Sequence, residues 1–234
     1  MLNDYKNKII SQNGEDGIIE EIIKRLNLSN LWCCEFGAWD GQHLSNTFHL
    51  VETNQAKVIM IEGDCDKFQD LLKTQSKYPQ QIIALNYFVD HSSQLTNSLD
   101  NILSNTDIPK DFDILSIDID SYDLAVWESL QTYHPKLVII EINNEIRPGI
   151  YQRHSSTTWL NSFTSTVEVA QSKGYTLVCH LFNLFFVRNN LMPLINLEQT
   201  YIDCPELLFD WKWVHRVENI KRKEERRLAK KDRA

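Results

Sequence analysis

The 234-residue chain lacks the marks of several classes of protein. Its five cysteines are an odd number, and Cys33 and Cys34 stand side by side in an apolar run, so a disulfide framework is excluded and reduced, buried thiols are expected. No C-x-x-C pair or His-Cys cluster has the spacing of a structural zinc site. No apolar run approaches the roughly 20 residues of a membrane span. The opening Met1-Leu2-Asn3-Asp4-Tyr5-Lys6 has no signal-peptide core, and a cytoplasmic location follows as the expectation. Neither internal repeats nor a low-complexity linker are visible, and 42% hydrophobic residues suit one well-buried domain.

Positive charge is scarce in most of the chain. Residues 212–234 carry ten Lys/Arg against four Asp/Glu, a net of +6, which leaves −14 on the remainder of a chain whose total is −8. An acidic body argues against a nucleic-acid groove across the main domain. The expected organisation is a domain over residues 1–211, including an N-terminal helix over 15–27, and a basic helix or tail over 212–234. That tail mixes Glu224 and Glu225 among its cations and lacks apolar spacing, which describes a solvated helix; an anionic partner is the alternative.

Ile18, Ile19, Ile22, Ile23 and Leu26 recur at helical spacing behind Asp16, a residue type that caps helices. Strand and helix then alternate. Strands are expected at 31–36, 57–62, 81–85, 113–118 and 136–141; between them lie helices that turn Phe68, Leu71 and Leu72, then Leu95, Leu99 and Leu103, then Leu124, Trp127 and Leu130 inward. A polar loop over 143–156 leads to a helix over 157–173, and 174–179 and 184–188 read as a hairpin. The pattern predicts an α/β, doubly wound sheet, mostly parallel, with ligands at the carboxyl ends of the strands.

Those ends hold the chemistry. Glu35-Phe36-Gly37-Ala38-Trp39-Asp40-Gly41 closes the first strand, and its glycines allow a sharp turn close to a ligand. Glu62 ends the second strand, where an acid accepts hydrogen bonds from ribose hydroxyls, with Gly63 next to it. Position 39 is Trp39, so the middle glycine of a dinucleotide fingerprint is missing. Glu35 suits a cationic ligand end and repels a pyrophosphate, which points to S-adenosylmethionine. Trp39 is expected to face a ligand or lid; Trp32, Trp127 and Trp159 read as core or helix-face residues. Ser45, Asn46 and Thr47 either bond the methionine part of the cofactor or cap a helix; Asn86 and Tyr87 either touch adenine or make a turn.

Asp118 and Asp120 would point the same way on an extended fourth strand, and Glu141 and Asn143 repeat that spacing on the fifth. Three readings follow. The four groups hold a hard divalent cation, Mg²⁺ or Mn²⁺; or Asp120 or Asp123 caps the next helix while Glu141 pairs with Arg147; or Asp118 or Asp120 acts as a general base without metal. His43 and His154 are candidate bases, with a surface role as the alternative to each.

With these residues placed, the chain resembles the FkbM-like branch of class I S-adenosylmethionine-dependent methyltransferases over about residues 10–190. The resemblance rests on Ser11-Gln12-Asn13-Gly14-Glu15-Asp16-Gly17, Glu35–Gly41, Ile61-Glu62-Gly63, Leu115-Ser116-Ile117-Asp118-Ile119-Asp120, and Gly174-Tyr175 with Asn183-Leu184-Phe185-Phe186-Val187. It implies a Rossmann-like seven-stranded sheet closed by an antiparallel C-terminal hairpin, and O-methylation of a small-molecule acceptor, often a sugar or glycan hydroxyl. It also implies that Gln12, Glu15 and Asp16 help wall the site. Many members carry Asp-x-Glu-Gly after the fourth strand, where this chain has Asp118-Ile119-Asp120-Ser121-Tyr122-Asp123, so the loop shape there differs. An RNA ribose 2′-O-methyltransferase and a non-catalytic cofactor-binding module are the competing readings. The acidic body and the lack of a Lys-Asp-Lys-Glu set weigh against RNA. Oligomeric state has no signal in the sequence.

Overall fold

The computed structural model describes the backbone of residues 1–231 and the side chains of residues 1–223. Seven strands form one sheet: β1 (Leu31–Phe36), β2 (Ala56–Glu62), β3 (Ile82–Asn86), β4 (Ile114–Ile117), β5 (Leu137–Glu141), β6 (Tyr175–His180) and β7 (Asn183–Arg188). Helices α1 (Glu15–Arg25), α2 (Phe48–Glu52), α3 (Cys65–Lys77), α4 (Leu99–Ser104), α5 (Asp123–Ser129) and α6 (Phe163–Ser172) connect them. After β7 come α7 (Met192–Ile195), α8 (Gln199–Asp203) and α9 (Lys212–Lys231).

The strand order is β3-β2-β1-β4-β5-β7-β6. β1 through β5 run parallel, and β7 pairs antiparallel with both β5 and β6. This is the expected doubly wound, Rossmann-like sheet with its antiparallel C-terminal hairpin. The strands are near-continuous apolar runs because both faces are covered. Cys34, Phe36, Ile59, Ile61, Leu115 and Ile117 pack on one face with α4, α5 and α6. Cys33, Val58, Met60, Ile114 and Ile139 pack on the other with α1, α2 and α3. Cys33 and Cys34 are thus free, buried core residues on opposite faces, as alternation requires.

Several local expectations are corrected. Asp16 does not cap α1; Gly14 precedes the helix, and Asp16 Oδ2 accepts from the backbone N–H groups of Ile9, Ile10 and Ser11 and from Ser11 Oγ, tying the entering loop down. The helix expected over 157–173 starts at Phe163, where Ser162 Oγ accepts from Ser165 N, so 157–162 belong to the loop. Leu72 and Leu95 are exposed, while Leu71, Leu99 and Leu103 are buried as predicted. Trp127 is core and Trp32 half-buried, but Trp159 is exposed. The basic segment is helical over 212–231 as α9; residues 232–234 lie outside the described residues. α9 is rooted by Val214, which packs into the core, and is mostly exposed from His215 to Lys223.

His180, fully buried at the end of β6, ties three segments together. Its Nδ1 accepts from Asp210 N at 2.9 Å and its Nε2–H donates to Asn144 Oδ1 at 2.7 Å, a pairing that requires the neutral ring. Burial pushes its pKa down to about 4, against a smaller upward pull from Asp210. The unfolded chain therefore takes up this proton first as pH falls. The stabilisation is whole above roughly pH 6.5, shrinks below that, and is gone beneath about pH 4. His180→Asn, which keeps an acceptor toward Asp210 N and loses the bond to Asn144, should cost about 1–3 kcal/mol at pH 7.5. Urea unfolding from pH 7.5 to 4 should show the wild-type advantage over the variant shrinking; a constant difference would contradict the neutral imidazole.

Candidate active site

Register sets the site. Phe36 pairs with Ile61 on β2 and Ile117 on β4, and Ile117 pairs with Ile140 on β5. One residue further on, Glu62, Gly37, Asp118 and Glu141 form a level row across four strand ends. A cavity of about 650 Å³ opens over this row and is lined by all four. Its size lies within the range of small-molecule and cofactor sites, and its place is the carboxyl edge beside the β1/β4 switch point.

Gly37 has φ +79°, and a Cβ there would lie 1.6 Å from the carbonyl oxygen of Asp118. Gly41 has φ +76°, and its Cβ would lie 2.7 Å from Leu71 Cδ1 and 2.9 Å from Met60 Sδ. Both glycines are thus required by protein packing, whatever the site holds. Gly37, Ala38 and Gly63 line the cavity; Asp40 and Gly41 do not. Asp40 Oδ1 instead accepts from Gln42 N and His43 N and so shapes the turn.

Glu62 is 7% exposed. Its Oε2 accepts from Trp39 N and its Oε1 from Asp64 N, both at 2.8 Å. A carboxylate has about four acceptor sites, so about two remain for a ligand in the cavity. Glu35 is more fully engaged: Oε2 accepts from Ser45 Oγ at 2.7 Å and from Thr47 Oγ1, and Oε1 from Asn46 N at 3.1 Å. Burial pushes its carboxyl up, and these bonds oppose the shift. Ser45 lines the cavity, whereas Asn46 and Thr47 do not and reach it only through Glu35; Asn46 Nδ2 donates to Ser116 Oγ. Asn86 also lies off the cavity, since its Nδ2 donates to the carbonyls of Glu62 and Gly63 and stitches β3 to the tip of β2. Tyr87 does line it.

Asp118, Asp120 and Glu141 each bring a carboxylate oxygen within 4.8 Å of the others. They converge by another route than expected. β4 stops at Ile117, and Asp120 reaches back through a left-handed turn with φ +59°. Asp123, fully buried, holds that turn by accepting from Ile119 N and Ser121 N, both at 2.8 Å, and does not cap α5. Glu141 is 7% exposed, and desolvation followed by the charge of Asp118 pushes its carboxyl well above the usual range. Asp118 opens to water through the cavity, yet the protein around it, then Asp123 and Asp120, raise its carboxyl as well. A hydrogen bond joins the two, which share a proton. Crowded carboxylates of this kind share protons or a cation.

Asn143 does not line the cavity: its Oδ1 accepts from Glu145 N and its backbone N–H donates to Asn161 O. Nor does Glu141 pair with Arg147, which makes no ion pair among the described residues. His43 is exposed, lines the cavity and meets the Trp39 ring edge-on. His154 does not line it; its ring packs edge-on against Tyr122 and its Nδ1 is buried without a partner. Gln12 lines the cavity, while Glu15 bonds Asn13 N. Sequence reasoning missed Lys67, Phe88 and Tyr122, all on the cavity wall. Lys67 Nζ lies over the Trp39 ring, and Phe88 packs on Gly63. The aromatic pair Tyr87-Phe88 at a strand tip was the available signal.

The sequence matches neither a protein-family model nor a curated protein. Among solved structures, the chain is similar to a SAM-dependent methyltransferase from Aquifex aeolicus at 13% identity, covering 72% of this chain and 87% of that one, with a TM-score of 0.44. It is similar to TrmK of M. capricolum in complex with S-adenosyl-homocysteine at 15% identity, 78% and 73% coverage and a TM-score of 0.44. A precorrin-6y C5,15-methyltransferase from Geobacter metallireducens shows 12% identity, 80% and 96% coverage and a TM-score of 0.44.

Gly37 offers a test of the site's frame. Gly37→Ala would force the tips of β1 and β4 apart, because the obstacle is backbone. A loss of about 2–4 kcal/mol is expected, combining positive-φ strain with overpacking. Gly174→Ala, also at positive φ but with nothing within 4 Å of its Cβ, should lose only about 1 kcal/mol. Equal losses in urea unfolding would contradict the close approach at Gly37.

Proposed function

We propose that this chain is an S-adenosylmethionine-dependent O-methyltransferase, of the FkbM-like kind, acting on a hydroxyl of a small molecule, in particular a sugar. The observation that carries the reading is the level row of Glu62, Gly37, Asp118 and Glu141 under one cavity. Glu62, with two acceptor sites free, binds the ribose diol. Glu35 supplies negative charge beside the sulfonium end, and Tyr87 and Phe88 give the adenine an aromatic wall.

Methyl transfer is an in-line displacement: the acceptor oxygen forms a bond to the methyl carbon as the carbon–sulfur bond breaks, and the sulfonium becomes a neutral thioether. The hydroxyl proton must leave. Asp118, on the cavity wall and paired with Glu141, is the base that takes it. A raised pKa makes that carboxylate a stronger base.

The donor set also fits a hard divalent cation, Mg²⁺ or Mn²⁺, since three carboxyl groups meet within 4.8 Å. Asp118, Asp120 and Glu141 would hold it, and bound there it would supply positive charge that lowers the pKa of the acceptor hydroxyl.

RNA ribose as acceptor keeps one specific observation in its favour. The root of α9 packs Trp213 on Phe182 at the β6–β7 turn, the end of the hairpin where Asn183 pairs with Glu141, so its cations start from the cavity's edge of the sheet. Removing residues 217–234 should leave cofactor affinity within about twofold, as independent sites do. Loss of RNA binding in the truncated protein, by electrophoretic mobility shift, would favour the RNA acceptor; wild type without RNA binding removes it.

S-adenosylhomocysteine should raise the melting temperature by mass action. Glu62→Gln should weaken it by about 1.5–3 kcal/mol in calorimetric titration; unchanged affinity would sink the ribose assignment. Against a panel of sugars, RNA and phenols with labelled S-adenosylmethionine, Asp118→Asn should lower turnover by about 10²–10⁴-fold. Activity that stops with chelator and returns with Mg²⁺ or Mn²⁺ supports the cation. If activity survives exhaustive chelation yet Asp118→Asn abolishes it, Asp118 acts as a metal-free base.

A further inference from the structure

Trp159 is 61% exposed, so burial does not explain where it stands. Its one polar atom, Nε1–H, donates to the carbonyl oxygen of Asp120 at 3.0 Å. That carbonyl belongs to the same peptide unit as Ser121 N–H, which donates to Asp123 Oδ2 at 2.8 Å. The Asp120–Ser121 peptide is therefore gripped at both polar ends, from α5 on one side and from the loop after β5 on the other. Asp120 itself has φ +59°, a conformation a non-glycine residue keeps only when its surroundings hold it.

The grip has firm backing. Ser155 and Thr158 close a tight turn with a backbone bond of 3.1 Å, and Thr158 Oγ1 donates to Arg153 O at 2.7 Å. Gln152 Nε2 donates to Trp159 O at 2.9 Å. Tyr122 and His154, with ring centroids 4.6 Å apart, join the same two loops a second time.

We propose that Trp159 is a positioning residue: its indole N–H fixes the orientation of the Asp120–Ser121 peptide and thereby aims the Asp120 carboxylate at Asp118 and Glu141. The kinetic consequence rests on the methyl-transfer reading; the structural one does not.

Trp159→Phe keeps the ring and removes the donor. In its crystal structure the Asp120–Ser121 peptide should be turned and the Asp120 carboxylate withdrawn from Asp118 and Glu141; a carboxylate still in place would overturn the proposal. With an acceptor that the wild type uses, kcat should fall about tenfold, since small misplacements of reacting groups cost on that scale. KM for S-adenosylmethionine should stay within about twofold and the melting temperature within about 3 °C. Asp120→Asn, which tolerates the left-handed turn, provides the decisive background: Trp159→Phe should cost nothing further there, because it acts through Asp120. An equal tenfold loss in both backgrounds would overturn the proposal. A wild type that transfers no methyl group defeats the functional reading instead, and the crystal structure of Trp159→Phe then decides the positioning role alone.

Discussion

The close approach of β1 and β4 at Gly37 is the constraint from which the rest of the carboxyl edge follows. Asp118 N donates to Phe36 O at 3.2 Å, and the Asp118 carbonyl occupies the space where any other residue at 37 would carry its Cβ. Two strands that end level at this point put Glu62 on one side and Glu141 on the other at the same height. A one-residue slip would turn Asp118 to the opposite face of the sheet. The acids could then no longer meet under one cavity.

Acidic side chains crowd this edge, but most of them are bound to the chain itself. Asp16 secures the loop of residues 9–11, Asp40 the turn after Gly37, and Asp123 the turn around Asp120, each by accepting from backbone N–H groups. Glu35 is occupied by the Ser45–Thr47 segment. What distinguishes Asp118 and Glu141 is that they have mainly each other. Their raised pKa values record a conflict between burial and charge that the surrounding loops leave standing, and such conflicts concentrate at functional sites.

The strands were legible because both faces of the sheet's centre are covered, so the central strands read as near-continuous apolar runs. The parallel sheet and its closing hairpin followed from alternation and from the family resemblance together. The loops were less legible, because one residue type serves two purposes. Asn86, Asp40 and Asn143 stand at strand tips and look like ligand contacts, yet Asn and Asp are also the residues that bond local backbone, and here they do so. Phe88, Lys67 and Tyr122 were missed because a cavity wall drawn from separate loops has no period. Trp159 reads from the sequence as a core or helix-face residue; only its partner, 39 positions away, reveals its place.

The position of β7 has a consequence for how the chain is made. β7 lies between β5 and β6, so β5, apolar along Leu137–Ile140 and fully buried in the finished protein, has no neighbour on that side until Asn183–Arg188 has been synthesised. During that interval the growing chain presents an open apolar strand edge, the kind of surface that pairs with other chains. Completion of the hairpin is therefore the step that covers β5 and leaves β6 as the edge, and a slow ribosome between residues 141 and 188 would lengthen the interval before it.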